Sequence, residues 1–216
     1  MAVSKEKYQQ IGLTGTRDVA VSDNTTLVNY PVGQFDLIYL DPPWSYDDKN
    51  NNGERGADHK YDTMSLEELY NMPIADLLKE HGQVWMWHTT PFAAEAHKLA
   101  EHWGLECVTR GFLWVKRNKQ NNQFFKGLGR HTRGNPEDCY LYRLKDTKVK
   151  MMPEGEAPDE LIVSRLREHS RKPDEAIHRL NQYCGDLYVD KLELFSREHK
   201  EGWITWGNDS CKFDEA

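Results

Sequence analysis

Apolar positions fall in short runs separated by polar stretches that contain glycine and proline. Residues 18–22, "DVAVS", and 35–41, "FDLIYLD", are β-favouring. The second is almost continuously apolar, as a strand buried on both faces must be, so it predicts a central parallel strand ending at Asp41. "SLEELYNMPIADLLKEHG" (65–82) predicts helix, with Ser65 as N-cap, Glu68 completing a capping box, a break at Pro73 and a stop at Gly82. "QVWMWHTT" (83–90) predicts a strand, and "PFAAEAHKLAEHWG" (91–104) a helix opening at Pro91 and closing at Gly104. "LECVTRGFLWVK" (105–116) holds one strand or two, and "DCYLYRL" (138–144) one more.

"DELIVS" (159–164) predicts a short strand. In "REHSRKPDEAIHRLNQYCG", Ile177, Leu180 and Cys184 recur at helical spacing before Gly185. "DKLELFSR" and "GWITWGN" predict two strands flanking a turn, with Trp203 and Trp206 in the core. Strands that alternate with helices along the chain imply an α/β, mostly parallel, doubly wound sheet, in which ligands bind at the carboxyl ends of strands. The polar stretches 47–60 and 117–136 exceed tight connections and read as lids or binding loops.

A length of 216 residues suits a single domain over 1–216, with residues 1–16 a flexible N-terminal segment. No run approaches the roughly 18 apolar residues of a membrane span, and the polar start lacks a signal-peptide core. The expectation is a soluble, cytoplasmic protein with no membrane association. Cys107, Cys139, Cys184 and Cys211 form no C-x-x-C pair, and His59, His88 and His131 have no partners at metal spacing, so no metal is assigned.

The formal charge is −7, which argues against non-specific coating of nucleic acid. The average conceals an asymmetry. Between Arg110 and Lys150 eleven basic residues face three acids, a net +8, which leaves −15 for the rest. Such a run is either a solvated face or a surface for polyanions.

"DPPW" (41–44) closes the central strand. Pro42 and Pro43 lack donors and stiffen the exit, so Asp41 and two carbonyls form a purely accepting corner beside the flat ring of Trp44. An NH2 group on a planar ring, as in adenine or cytosine, fits that corner. Two acceptors holding both its hydrogens would favour a nucleophilic nitrogen, through positioning and electrostatic preorganisation. A proline-stiffened turn with a surface tryptophan is the other reading of these four residues.

Further motifs decide between them. "DPPW", "YDTMS" (61–65), "LWVKRN" (113–118), "SRKPDE" (170–175), "LELFSR" (192–197) and "GWITWGN" (202–208) occur in this order. From about Asp23 to Asp209 the chain resembles the adenine-N6 methyltransferase family typified by the catalytic subunit of the messenger-RNA N6-methyladenosine writer. The resemblance implies a Rossmann-like fold that uses S-adenosylmethionine, with a permuted, beta-class motif order in which the catalytic motif comes first. That order accounts for the absence of an N-terminal G-x-G-x-x-G.

The resemblance further implies that Asp41 and the Pro42 carbonyl hold the amine, while Pro43 and Trp44 shape the base pocket. It assigns Asp41, Lys172, Glu193, Arg197, His199 and Asn208 to the cofactor, with Asp23 and Asn24 aligned by counting back from Asp41. Asp209 stands where the eukaryotic enzyme has glutamine and can accept but not donate. Lys200 replaces an asparagine. Read from its strand alone, Glu193 between Leu192 and Leu194 is also compatible with a solvent-facing edge position. Tyr61 matches a tyrosine of the loop after the catalytic motif and is expected to stack on or gate the base.

The basic run then acquires a purpose. Lys116, Arg130, Arg133, Arg165, Arg167 and Arg171 are expected to line a positive cleft for DNA or RNA, DNA ahead of RNA. Its target adenine must be flipped out or single-stranded. A homodimer or partner subunit is expected because no separate recognition domain is visible. Two alternatives stay open: an inactive nucleic-acid-binding subunit, and methylation of another amine such as cytosine N4.

Overall fold

The structure, a computed structural model, describes residues 21–22, 32–44, 64–129, 131–150, 152, 155–207 and 212–214. Among the described residues eight strands form one sheet: β1 (Val21–Ser22), β2 (Phe35–Leu40), β3 (Leu78–Thr89), β4 (Leu105–Arg117), β5 (Glu137–Leu144), β6 (Leu161–Arg165), β7 (Lys191–Leu194) and β8 (Ile204–Gly207). Their spatial order is β1-β8-β7-β2-β3-β5-β4-β6. Every neighbouring pair is parallel except β3–β5 and β4–β5, so β5 alone runs against the rest.

Alternation along the strands divides the core in two, as a sheet covered on both faces requires. Ile38, Leu40, Val84 and Met86 face a cluster with Leu69, Ile74, Leu99 and Trp103. These last come from α1 (Leu66–Tyr70), α2 (Ile74–Leu77) and α3 (Ala93–His102), with Trp103 just past the end of α3. Leu37, Tyr39, Trp85 and Trp87 face the other cluster, with Ala176, Leu180 and Cys184 of α4 (Asp174–Cys184). Ile177, on the predicted helical stripe, packs at the margin of that cluster.

The capping box forms as predicted: Ser65 Oγ accepts from the Glu68 amide at 3.2 Å and Glu68 Oε2 accepts from the Ser65 amide at 3.0 Å. The expected stop at Gly82 is corrected. Helix ends at Leu77 and strand begins at Leu78, with a register shift against β2 between Phe35 and Leu37. Lys79 pins this stretch by pairing with Asp36 at 2.8 Å and Asp190 at 2.7 Å, contacts that a helix-period reading of the segment cannot anticipate. Residues 90–92 form a 3-10 turn ahead of α3, so Pro91 opens that turn and not the α-helix.

The stretch from 105 is one strand with two irregularities. Only 21–22 of the first predicted strand lie within the described residues. Strands β7 and β8 are parallel neighbours, so residues 195–203 cross over between them where a tight turn would have reversed the chain. From adjacent β2 and β7 the chain runs to opposite sides of the sheet, β2 to β3 and β7 to β8. That divergence makes their carboxyl ends the topological switch point.

Candidate active site

Asp41 follows β2 directly, and its carboxylate lies on the α4 side of the sheet. Oδ2 accepts from Lys172 Nζ at 2.5 Å. Lys172 Nζ also meets Glu137 Oε2 at 3.1 Å, and Glu137 Oε1 accepts from Lys116 Nζ at 2.5 Å. Four charges of alternating sign thus run from the end of β2, through the loop before α4 and the start of β5, to β4. All but Asp41 are nearly enclosed; the Asp41 side chain keeps 32% of its exposure.

Burial dominates at Asp41 and raises its pKa, with Lys172 pulling the other way. Burial pushes Glu137 up too, but its two lysines prevail and bring it to about 2. Lys172 would be lowered by burial, yet Asp41 and Glu137 hold it above its ordinary value. Glu137 therefore shares the charge of Lys172, and Asp41 is left ionisable but more basic than an exposed aspartate. Among the described residues Asp41 Oδ1 makes no hydrogen bond and remains an acceptor.

Both proline carbonyls accept from backbone amides. The Trp44 amide donates to the Pro42 carbonyl at 2.8 Å and the Met64 amide to the Pro43 carbonyl at 3.3 Å. The Pro42 oxygen keeps a second lone pair for another donor. Trp44 is no surface residue: it is 6% exposed and stacks on Phe92, centroids 5.3 Å apart and planes at 12°. The reading as a turn with a surface tryptophan is thereby corrected.

A cleft opens beside Asp41 at the ends of β2 and β7, lined by Tyr39, Lys172, Glu193, Phe195 and Arg197 among others. Glu193 belongs here and not on an edge. It is 8% exposed because β2 and β8 flank its strand, and it accepts from Lys200 Nζ at 2.6 Å and Ser196 Oγ at 3.0 Å. Burial raises its pKa, and Lys200 offsets part of that. Gly207 brings β8 hard against the same loop: a Cβ there would stand 2.3 Å from the Ser196 carbonyl oxygen.

Of the residues expected at the cofactor, Asp41, Lys172, Glu193 and Arg197 meet in this cleft. His199 follows in the same loop, and its amide donates to Asp214 Oδ1 at 2.7 Å. Asp23, Asn24, Asn208 and Asp209, with Tyr61 and Arg130, lie outside the described residues. The expected phosphate-binding cations divide. Lys116 is turned inward onto Glu137, Arg167 forks onto Asp174 at 2.6 and 2.7 Å, and Arg171 lines the cleft paired with Glu198 at 2.6 Å. Arg133 is exposed, as are Lys119 and Lys126, and none of the three is in an ion pair among the described residues.

Glu137, Ser196, Phe213 and Asp214 were not legible as site residues. Glu137 alone left a trace, as an acid at a strand start inside a strongly basic run.

The donor set of the cleft fits S-adenosylmethionine. Lys172 and Arg197 suit a carboxylate, Asp41 and Glu193 suit cationic and hydroxyl groups, and Tyr39 and Phe195 supply apolar surface. Among the described residues no cluster of three His, Cys, Asp or Glu side chains could hold a metal ion, and no helix is long and apolar enough to cross a membrane.

A sequence model of the MT-A70 family matches residues 35–209. The Type II methyltransferase M.MunI of Mycoplasma sp. is 28% identical over 193 residues, covering 82% of this chain and 78% of that protein. The mouse N(6)-adenine-specific methyltransferase METTL4 is 27% identical over 83% of this chain. The human N(6)-adenosine-methyltransferase catalytic subunit METTL3 is 27% identical over 82%. The chain spans 38% of the METTL4 protein and 28% of METTL3.

Proposed function

The chain belongs to the MT-A70 family, and from that premise we propose that it is an S-adenosylmethionine-dependent N6-adenine methyltransferase acting on nucleic acid, DNA ahead of RNA. The observation that carries the reading is the Asp41 carboxylate at the switch point, raised in basicity, with one oxygen bound to Lys172 and the other without a hydrogen bond among the described residues. When bound, S-adenosylmethionine supplies an electrophilic methyl group.

Asp41 Oδ1 and the Pro42 carbonyl accept the two hydrogens of the adenine amine and orient its lone pair. Lys172 keeps Asp41 ionised in a buried setting, and Asp41 takes the proton that the nitrogen sheds as it is alkylated. The raised basicity of Asp41 favours that transfer. Trp44, braced by Phe92, walls the base side of the turn. Lys119, Lys126 and Arg133, exposed and outside ion pairs among the described residues, are cations open to phosphate.

DNA is placed first because a Type II methyltransferase is matched over 78% of its own length, whereas the chain spans 28% of the N(6)-adenosine-methyltransferase catalytic subunit METTL3. Incubation with methyl-labelled cofactor and either DNA or RNA tests this. Label in DNA exceeding label in RNA is expected, the reverse reassigns the polymer, and label in neither with cofactor bound overturns the proposal.

A further inference from the structure

Residues 212–214 lie beyond the span that the family model matches, yet they fold against the cleft. The Phe213 amide donates to the Arg197 carbonyl at 3.0 Å. The Phe213 ring has the guanidinium carbon of Arg197 4.7 Å from its centroid and that of Arg171 at 4.9 Å. Asp214 takes the His199 amide on Oδ1 at 2.7 Å and ring Nδ1 on Oδ2. A three-residue segment therefore holds Arg197 at both guanidinium and backbone, and His199 at both ring and amide.

We propose that Phe213 and Asp214 are positioning residues of the cofactor cleft: Phe213 holds the guanidiniums of Arg197 and Arg171 in place, and Asp214 fixes the orientation and tautomer of His199. The inference rests on the reading of this cleft as the S-adenosylmethionine site. A long arginine side chain free in solvent loses rotamer freedom on meeting a ligand, and a ring that already holds it removes part of that cost. Asp214 acts in the same sense, because an acceptor at Nδ1 makes that nitrogen the donor and, in the neutral ring, leaves Nε2 as the acceptor. Phe213 thus lines the cleft from beyond residue 209, the last that the family model matches.

Calorimetric titration of S-adenosylhomocysteine into the full chain tests the proposal. Phe213→Ala is expected to weaken binding about tenfold, the loss of two ring–guanidinium contacts. Phe213→Tyr, which keeps the ring, restores binding to within about twofold of wild type. Asp214→Ala weakens binding as well. The unliganded melting temperatures of both Phe213 variants stay near that of wild type, since the side chain is only half buried. In turnover the alanine variant raises the cofactor KM far more than it lowers kcat. Wild-type affinity in Phe213→Ala, or a loss that Tyr does not restore, overturns the proposal while leaving the cofactor reading intact. Failure of the wild type itself to bind overturns both.

Discussion

Lys172 and Asp41 lie 131 residues apart in the chain and meet as an ion pair, Nζ to Oδ2 at 2.5 Å, where β2 ends and the loop into α4 reaches the helix. The pair is completed by Glu137 and Lys116. Burying four charges is costly, and alternation of sign makes it tolerable, because each charge has an opposite neighbour inside the low-dielectric interior.

Glu137→Gln leaves Lys172 and Lys116 with Asp41 as the only carboxylate among the four linked groups. Breaking a buried pair this way destabilises by roughly 3–5 kcal/mol, to be read as a lower urea midpoint. The same change removes the negative charge that helps to raise Asp41. The acid limb of the pH–rate profile then moves to lower pH.

The stability difference between wild type and Glu137→Gln depends on pH with a fixed sign. Glu137 is lowered from 4.5 to about 2 in the folded chain. Its contribution is full above the unfolded value and is lost as pH falls from 4.5 toward 2. Paired denaturation curves across that window should converge at the acid end. Asp41 and Glu193 carry the opposite sign, since their raised pKa values make ionisation slightly unfavourable to folding at neutral pH.

Trp44→Phe keeps a ring against Phe92 and removes an Nε1 that is buried without a hydrogen bond among the described residues. Its cost stays under about 1.5 kcal/mol. Trp44→Ala opens a cavity and costs roughly 3–5 kcal/mol. Chemical denaturation of the two variants separates packing from any role toward the base.

Gly207→Ala places a methyl 2.3 Å from the Ser196 carbonyl oxygen and 2.8 Å from its amide nitrogen. Backbone meets backbone there, so the end of β8 must move away from the cleft. A lowered melting temperature, for a cost of about 1–3 kcal/mol, and weaker S-adenosylhomocysteine binding are expected together.

What the sequence revealed follows from how local each signal is. The run "FDLIYLD" is apolar at nearly every position, so its burial on two faces and its end at Asp41 were legible. The capping box at Ser65 is complete within four residues and was legible too. The switch to strand at Leu78 was not, because Lys79 owes its place to Asp36 and Asp190 far along the chain. Glu137 was missed for the same reason: its meaning comes from Lys116 and Lys172, which the sheet order brings to it. Glu193, ambiguous as a residue between two leucines, is settled as interior only once β2 and β8 flank β7.

The central claim is that Asp41 holds and deprotonates the target amine. Nucleoside mass spectrometry of DNA and RNA after incubation with S-adenosylmethionine tests it, comparing wild type with Asp41→Ala at matched cofactor occupancy. Wild type should yield N6-methyladenine, and Asp41→Ala should lose at least about 10²-fold in rate. A wild type that binds the cofactor yet methylates no adenine, or an Asp41→Ala variant that retains the wild-type rate, would contradict the account.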